Sequence, residues 1–249
     1  MDIWAAAHGE RLIEPIAGTA LRMVESEEQV ATTRLVDALD KQQVLEDLLE
    51  GTKPAWRAGT QHLHYLLATP FRYPPLRYGS RFGRRSEPAL FYGALSLPTL
   101  LAEAAYYRFV FWQGMAEAPA KRLNTQHAVF EALYATPLGL RLQQAAFEPW
   151  RAPLTDRADY RATQALGSAM REAGVAAFEY RSARDPEGGT NVALFSPAAL
   201  AQPRPGYTEQ WLAETTRERV LYYSQAATRA YEFSLDQFTA DGRLPQPAV

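Results

Sequence analysis

Glu103 stands in an apolar stretch running from Leu97 to Trp112, where Thr99, Leu100, Tyr106 and Tyr107 are its neighbours at helical spacing. A helix of that composition offers no solvated face. A carboxylate held there must be paired or have its titration altered, and both conditions are common among catalytic groups. A structural ion pair with a core arginine is the plainer alternative; Arg108, five positions on, lies off the same helical face. The natural partners precede Glu103 in the chain. Between Thr69 and Pro88 the residues turn to Pro, Gly, Tyr and Arg, with Arg72, Arg77, Arg81, Arg84 and Arg85 in one irregular loop. Guanidinium groups beside Gly79 and Gly83, where the backbone can approach a ligand, suit a pyrophosphate or a carboxylate. A solvated basic loop and a nucleic-acid surface fit the same residues, the latter because Phe71, Tyr73, Tyr78 and Phe82 interleave with the arginines.

Other residue types give weaker signals. Ser182 lies in Tyr180-Arg181-Ser182-Ala183-Arg184, which is no G-x-S-x-G elbow, so a hydrogen-bonding role suits it better than nucleophilic attack. His62 and His64 alternate as if on one face of a strand, but no third ligand follows at a recognisable spacing, and no metal is expected. No Walker loop and no G-x-G-x-x-G fingerprint follows a strand.

The chain that must position these groups has 249 residues, 47% hydrophobic and 22% charged, enough for one good core. Its formal net charge of −2 gives no global pull toward nucleic acid or an anionic membrane. Only three of its 26 basic residues, Lys41, Lys53 and Lys121, are lysines. Arginine presents a planar fork that matches phosphate oxygens, although codon bias toward Arg and Ala accounts for such an excess equally well. With no cysteine, disulfides, thiolate metal sites and a Cys nucleophile are all excluded. Asp2, Glu10 and Arg11 interrupt the start, so no signal peptide is expected. The run from Leu97 to Met115 contains Glu103 and Arg108, which a membrane span would bury at roughly 2.5–3.5 kcal/mol each. It reads as a core helix of a cytoplasmic protein.

Local signals divide the chain into strands and helices. Thr19 to Val24 reads as a strand, and Ser26-Glu27-Glu28-Gln29 and Asp40-Lys41-Gln42-Gln43 read as helix starts, the second closed by Gly51 and Pro54. Ala89 to Tyr92 reads as a strand; Ser96 with Pro98 then opens a helix that runs to about Glu117. Further strands are expected over His127 to Tyr134, Val175 to Tyr180 and Val192 to Phe195, and a final hairpin over Trp211 to Ser224. Tyr160 to Ala173 is expected as a helix stopped by Gly174. The elements mix without regular βαβ alternation, which predicts an α+β fold of mixed sheets and flanking helices. Residues 1–65 form an N-terminal strand-and-helix portion packed on a core of residues 66–249, in one compact unit.

With those residues in view, Gly79-Ser80-Arg81-Phe82-Gly83, followed by Pro88-Ala89-Leu90-Phe91-Tyr92 and then Glu103, resembles the first signature of RES-domain proteins. Gly174 to Phe195, with Tyr-x-Ser-x-Arg, a Gly-rich turn and Asn191, resembles the second, and Leu21-Arg22-Met23-Val24 is similar to the family's opening strand. Phe82 stands where Trp is common, and the segment from Arg34 to Pro75 is longer than in compact members. The family takes its name from Arg, Glu and Ser, here Arg81, Glu103 and Ser182. The resemblance implies a fold similar to ADP-ribosyltransferase toxins and a toxin that consumes NAD, with a helix-turn-helix antitoxin as partner. In that setting Glu103 and Arg81 are catalytic; Arg22 or Arg72 joins Arg81 on the pyrophosphate, Tyr92 stacks on a ring, and Ser182 orients nicotinamide or ribose. The ADP-ribosyl group then passes to phosphate or water, or alternatively to a host protein. A module that binds nucleic acid or a partner through the Arg81 loop is the non-catalytic alternative.

Overall fold

The structure is a computed structural model that describes residues 2–26, 48–119, 121–224, 226 and 228–246. The helix starts expected around Ser26–Gln29 and Asp40–Gln43 lie largely or wholly outside the described residues. Eight strands are assigned: β1 (Glu14–Glu25), β2 (Phe91–Ala94), β3 (Leu123–Arg141), β4 (Ala177–Arg181), β5 (Thr190–Leu194), β6 (Thr208–Thr215), β7 (Arg219–Ser224) and β8 (Ala230–Ser234). The helices that matter here are α1 (Ile3–Ala6), α2 (Tyr65–Arg72), α3 (Leu97–Gly114) and α4 (Arg161–Glu172). The fold is α+β, with one parallel pairing, β3 with β4, in an otherwise antiparallel sheet.

The sheet order is β1-β2-β5-β4-β3-β6-β7-β8, and β1 also pairs with β3 along nearly its whole length. Five strands therefore return on themselves as a ring, and β6, β7 and β8 extend from the other edge of β3. Strand β3 serves both parts because it is long: Leu123–Phe130 pairs with β6, and Gly139–Arg141 pairs with β4. Side chains alternate faces along a strand, and both faces are covered here. Val129 packs with α3 residues such as Leu101 and Phe109, while Phe130 packs with Leu67 and Phe71 of α2. β4 and β5 are likewise buried on both faces, Phe178 and Ala193 in one cluster and Ala177, Val192 and Leu194 in another.

Helix α3 starts as the residues dictate: Ser96 is the N-cap, its side chain accepts from the Thr99 N–H, and Pro98 sits in the first turn where its missing N–H costs nothing. Its burial is less complete than its apolar composition suggests. Leu100, Leu101, Ala105, Tyr106, Phe109 and Trp112 are buried, yet Tyr107 is 52% and Phe111 55% exposed. Glu103, Tyr107 and Phe111 follow at spacings of four and so share one open stripe. Arg108 points elsewhere, its Nε donating to Thr215 Oγ1 at 3.0 Å, so the ion pair considered for Glu103 is not formed.

Helix α4 ends before Gly174, which has φ +80°, the left-handed geometry that glycine supplies. The histidine pair departs from the strand expectation: His62 lies in a turn, and His64 caps α2 by accepting the Leu66 N–H at Nδ1. No group of three or more metal-ligating side chains occurs among the described residues. No helix among them is long and apolar enough to cross a membrane.

His127 gives this fold a pH dependence. The ring is buried in β3 with Nε2 at 2.8 Å from Thr125 Oγ1, and burial, helped by the Arg108 charge, pushes its pKa down to about 4. The unfolded chain takes up this proton near pH 6.5, the folded chain only near 4, so stability is complete above 6.5 and falls as pH drops between those values. Lowering pH from 7 to 5 is expected to cost about 2 kcal/mol through this group. Denaturant midpoints at both pH values for wild type and His127→Gln check it; equal pH sensitivity in the variant refutes it.

Candidate active site

The loop bearing Arg81 is fixed before any ligand arrives. Gly79 turns with φ +75°, and Gln164 of α4 donates to the carbonyls of Tyr78 (2.9 Å) and Ser80 (3.0 Å). Gly167, one turn along α4, lies so close that an added Cβ would meet Phe82 O at 2.1 Å. Phe82 itself is fully buried, edge-on to Phe178 and Tyr180. Tyr92 of β2 holds the other side: its hydroxyl is 2.9 Å from Ser80 Oγ and accepts the Phe82 N–H at 3.1 Å. The loop is thereby clamped between α4 and β2.

A cleft of about 490 Å³ opens over this loop and is walled by Arg22, Arg81, Tyr92 and Glu103 together with Tyr107, Tyr160, Arg184 and Asn191. Four of the five residues expected at the site thus share one cavity. The fifth, Ser182, is 4% exposed and stands behind the carboxylate. Its hydroxyl donates to Glu103 Oε1 at 2.6 Å and accepts the N–H groups of Arg184 (3.1 Å) and Asp185 (2.9 Å). A hydroxyl with its proton and both lone pairs engaged has nothing left with which to attack or to bind substrate. In this state Ser182 orients Glu103.

Asp185 ties the same loop to α3. Its Oδ2 accepts from Thr99 Oγ1 at 2.8 Å and from Gly189 N at 3.2 Å, one turn before Glu103. Asn191 of β5 adds a second donor to the carboxylate, Nδ2 to Glu103 Oε1 at 2.7 Å. Oε2 accepts no hydrogen bond among the described residues and is left to the cleft.

Three guanidinium groups line the walls, and none has an ion pair among the described residues. Arg81 donates to Asp156 O at 2.8 Å and lies 4.6 Å over the Tyr160 ring. Arg184, 2% exposed, donates to Arg157 O (2.6 Å) and Tyr160 Oη (3.2 Å), sits 3.5 Å over the Tyr106 ring, and has its Nη1 without a partner. Arg22 donates to Tyr92 O at 2.6 Å and leaves Nε without a partner; burial pushes its pKa down to about 10. A buried cation lacking a carboxylate, as Arg184 is, is costly, and with the partly buried Arg22 and Arg81 it gives the cleft a positive lining that suits a multiply charged anion.

Arg72, the other arginine considered beside Arg81, is not here. It stacks 4.1 Å over Trp56 and pairs with Glu50 at 2.7 Å. Arg184, Asn191 and Tyr160 carry more of the site than their sequence context shows. Beyond its place in the second signature, the residue signal for Asn191 is a polar side chain heading a strand that continues Val192-Ala193-Leu194.

Comparison with known proteins gives one family match: the model of the RES domain matches residues 54–216. Among curated proteins none matches the chain. Among solved structures, a chain of the crystal structure of the M. tuberculosis MbcT–MbcA toxin–antitoxin complex is similar over 84% of this chain and 91% of its own length, at 12% identity and a TM-score of 0.49.

Proposed function

From the premise that this chain belongs to the RES-domain family, we propose that it is a toxin enzyme that cleaves the nicotinamide–ribose bond of NAD and passes the ADP-ribosyl group to phosphate or water. The observation that carries this reading is the Glu103 carboxylate, held by two donors on Oε1 and open at Oε2, in a cleft with three guanidinium groups that lack ion pairs among the described residues.

Each residue has work in that reaction. As the ribose–nitrogen bond breaks, its electron pair leaves with nicotinamide, which departs neutral and needs no acid. Positive charge develops on the ribose, where Glu103 Oε2 stabilises it or holds the ribose hydroxyls. Arg22 and Arg81 take the pyrophosphate through fork-like hydrogen bonds, and the rings of Tyr92 and Tyr107 provide faces for the heterocycles. A phosphate oxygen then forms the new bond to the ribose carbon with its lone pair, or water does so and releases its proton to solvent. Arg81 lies in the cleft against Tyr160, which favours this reading over a nucleic-acid surface built on the loop. The family also motivates the partner, an antitoxin of helix-turn-helix type that covers the cleft.

Purified protein is expected to release nicotinamide from NAD and, when expressed without its partner, to arrest growth. NAD labelled in the adenine half, incubated with and without phosphate and separated by mass, identifies the acceptor. ADP-ribose 1″-phosphate formed only with phosphate means phosphorolysis, and free ADP-ribose means hydrolysis. Label retained on protein in a lysate points instead to ADP-ribosyl transfer, and undiminished NAD overturns the reading.

A further inference from the structure

Both donors that hold Glu103 stand in the second family signature, but Ser182 is the one that gives the family its name, and Asn191 carries no role there. Asn191 is 3% exposed on β5, directly followed by the apolar residues Val192, Ala193 and Leu194, in a strand flanked by β2 and β4. An aliphatic side chain satisfies such a position at no polar cost. The amide instead makes a single side-chain hydrogen bond, to Glu103, and leaves Oδ1 buried without a partner. Burying one unsatisfied polar atom for the sake of one bond is unfavourable for folding alone.

The geometry around that bond is restrictive. A carboxylate only accepts, so Nδ2 must face Glu103 and the amide orientation is fixed by its partner. Ser182 and Asn191 converge on the same oxygen at 2.6 and 2.7 Å. One comes from the β4–β5 loop and the other from β5 itself, so two rigid points fix the carboxyl plane. We infer that Asn191 is a positioning residue of the active site: with Ser182 it pins Oε1 of Glu103 and so presents Oε2 as the atom that meets the substrate. This rests on the reading of Glu103 as the carboxylate that acts on the ribose.

The charged and titratable groups around Glu103 are Tyr106 and Tyr107 on its own helix, Tyr180 on β4, and Arg22, Arg81, Tyr160 and Arg184 in the same cleft. Tyr92 lines the same cleft, and the carboxylate of the adjoining loop, Asp185, is taken up by Thr99 Oγ1 and Gly189 N and makes no hydrogen bond with Glu103, so no carboxylate is bonded to it. Asn191→Asp introduces one at hydrogen-bond distance, and two carboxyl groups so placed cannot both ionise independently.

Two variants test the assignment in the full chain. Asn191→Leu removes the donor and the buried orphan oxygen together; it is expected to keep the wild-type melting temperature and lose roughly 10- to 100-fold in kcat with little change in KM. Asn191→Asp is expected to move the acid limb of the kcat/KM profile upward by about one pH unit or more. Wild-type kcat in the Leu variant, or an unmoved profile in the Asp variant, overturns the inference. A readout independent of turnover is the carbon-13 titration of the Glu103 carboxyl, identified by its absence in Glu103→Gln. Its midpoint should rise in Asn191→Asp relative to wild type, and an unchanged midpoint counts against Asn191. If wild type leaves NAD intact, the NAD reading fails while this titration still decides on Asn191.

Discussion

Glu103→Gln is expected to lower NAD turnover by on the order of 100-fold or more while leaving the melting temperature nearly unchanged. The two donors on Oε1 explain both halves of that expectation. Ser182 Oγ and Asn191 Nδ2 can each give a hydrogen bond to the carbonyl oxygen of a glutamine as they do to the carboxylate. The glutamine side chain therefore settles in the same orientation, and its NH2 group replaces Oε2 at the cleft. Shape and local bonding survive; the negative charge facing the ribose does not. Nicotinamide release measured beside a thermal melt separates the two effects, and full turnover in the variant removes Glu103 from the mechanism.

Arg22→Gln is expected to weaken binding of ADP-ribose by roughly 10- to 100-fold, with a smaller effect on kcat, because hydrogen bonds to charged groups contribute about 1.5–3 kcal/mol. Arg22 lies on β1, partly buried over the Phe91 ring, with Nη1 on Tyr92 O and Nε buried without a partner. The fold holds this cation out of water without an ion pair among the described residues, at a cost visible in its lowered pKa. On the proposed reading, a diphosphate in the cleft offsets this charge. Lysine is no substitute, since one ammonium cannot reproduce the fork that serves Tyr92 O and a ligand together. Arg72→Gln is the control: its contacts are with Trp56, Pro54 and Glu50, away from the cleft, and calorimetric titration should give wild-type affinity. Equal losses in both variants would show that general charge, and not Arg22, draws the ligand.

Much of this was legible from local rules. Ser96 with Pro98 and Gly174 marked helix ends that depend on single residues. The apolar run around Glu103 marked an unusual carboxylate, but not the open stripe it shares with the exposed Tyr107 and Phe111, of which Glu103 and Tyr107 reach the cleft. β3 was read only from His127 to Tyr134, because Asn124, Thr125 and Gln126 at one end and Thr136-Pro137 at the other look like turn residues; partners on both edges keep the strand going. β8 was missed for the same reason, as a five-residue strand defined by its pairing with β7. The histidines at 62 and 64 imitate strand alternation in a segment that forms a turn and a cap. Arg184 and Asn191 could not be identified by periodicity, since what distinguishes them is a partner far away in the chain: Tyr106 for one and Glu103 for the other.

The ring of five strands has a consequence for when the cleft is completed during synthesis. β1 emerges first, yet its pairing with β3 sets Leu21 opposite Glu131, 110 positions later, and β5 must follow before Asn191 reaches Glu103. Contacts of such separation are slow to form, because the intervening chain must be ordered before they are rewarded. A nascent chain that has passed Glu103 but not reached β5 holds Arg22, Arg81 and Glu103 but lacks the strand that sits between β2 and β4, and with it Asn191 and one wall of the cleft. The cleft is therefore completed late in synthesis and nearly all at once, when β5 takes its place between β2 and β4.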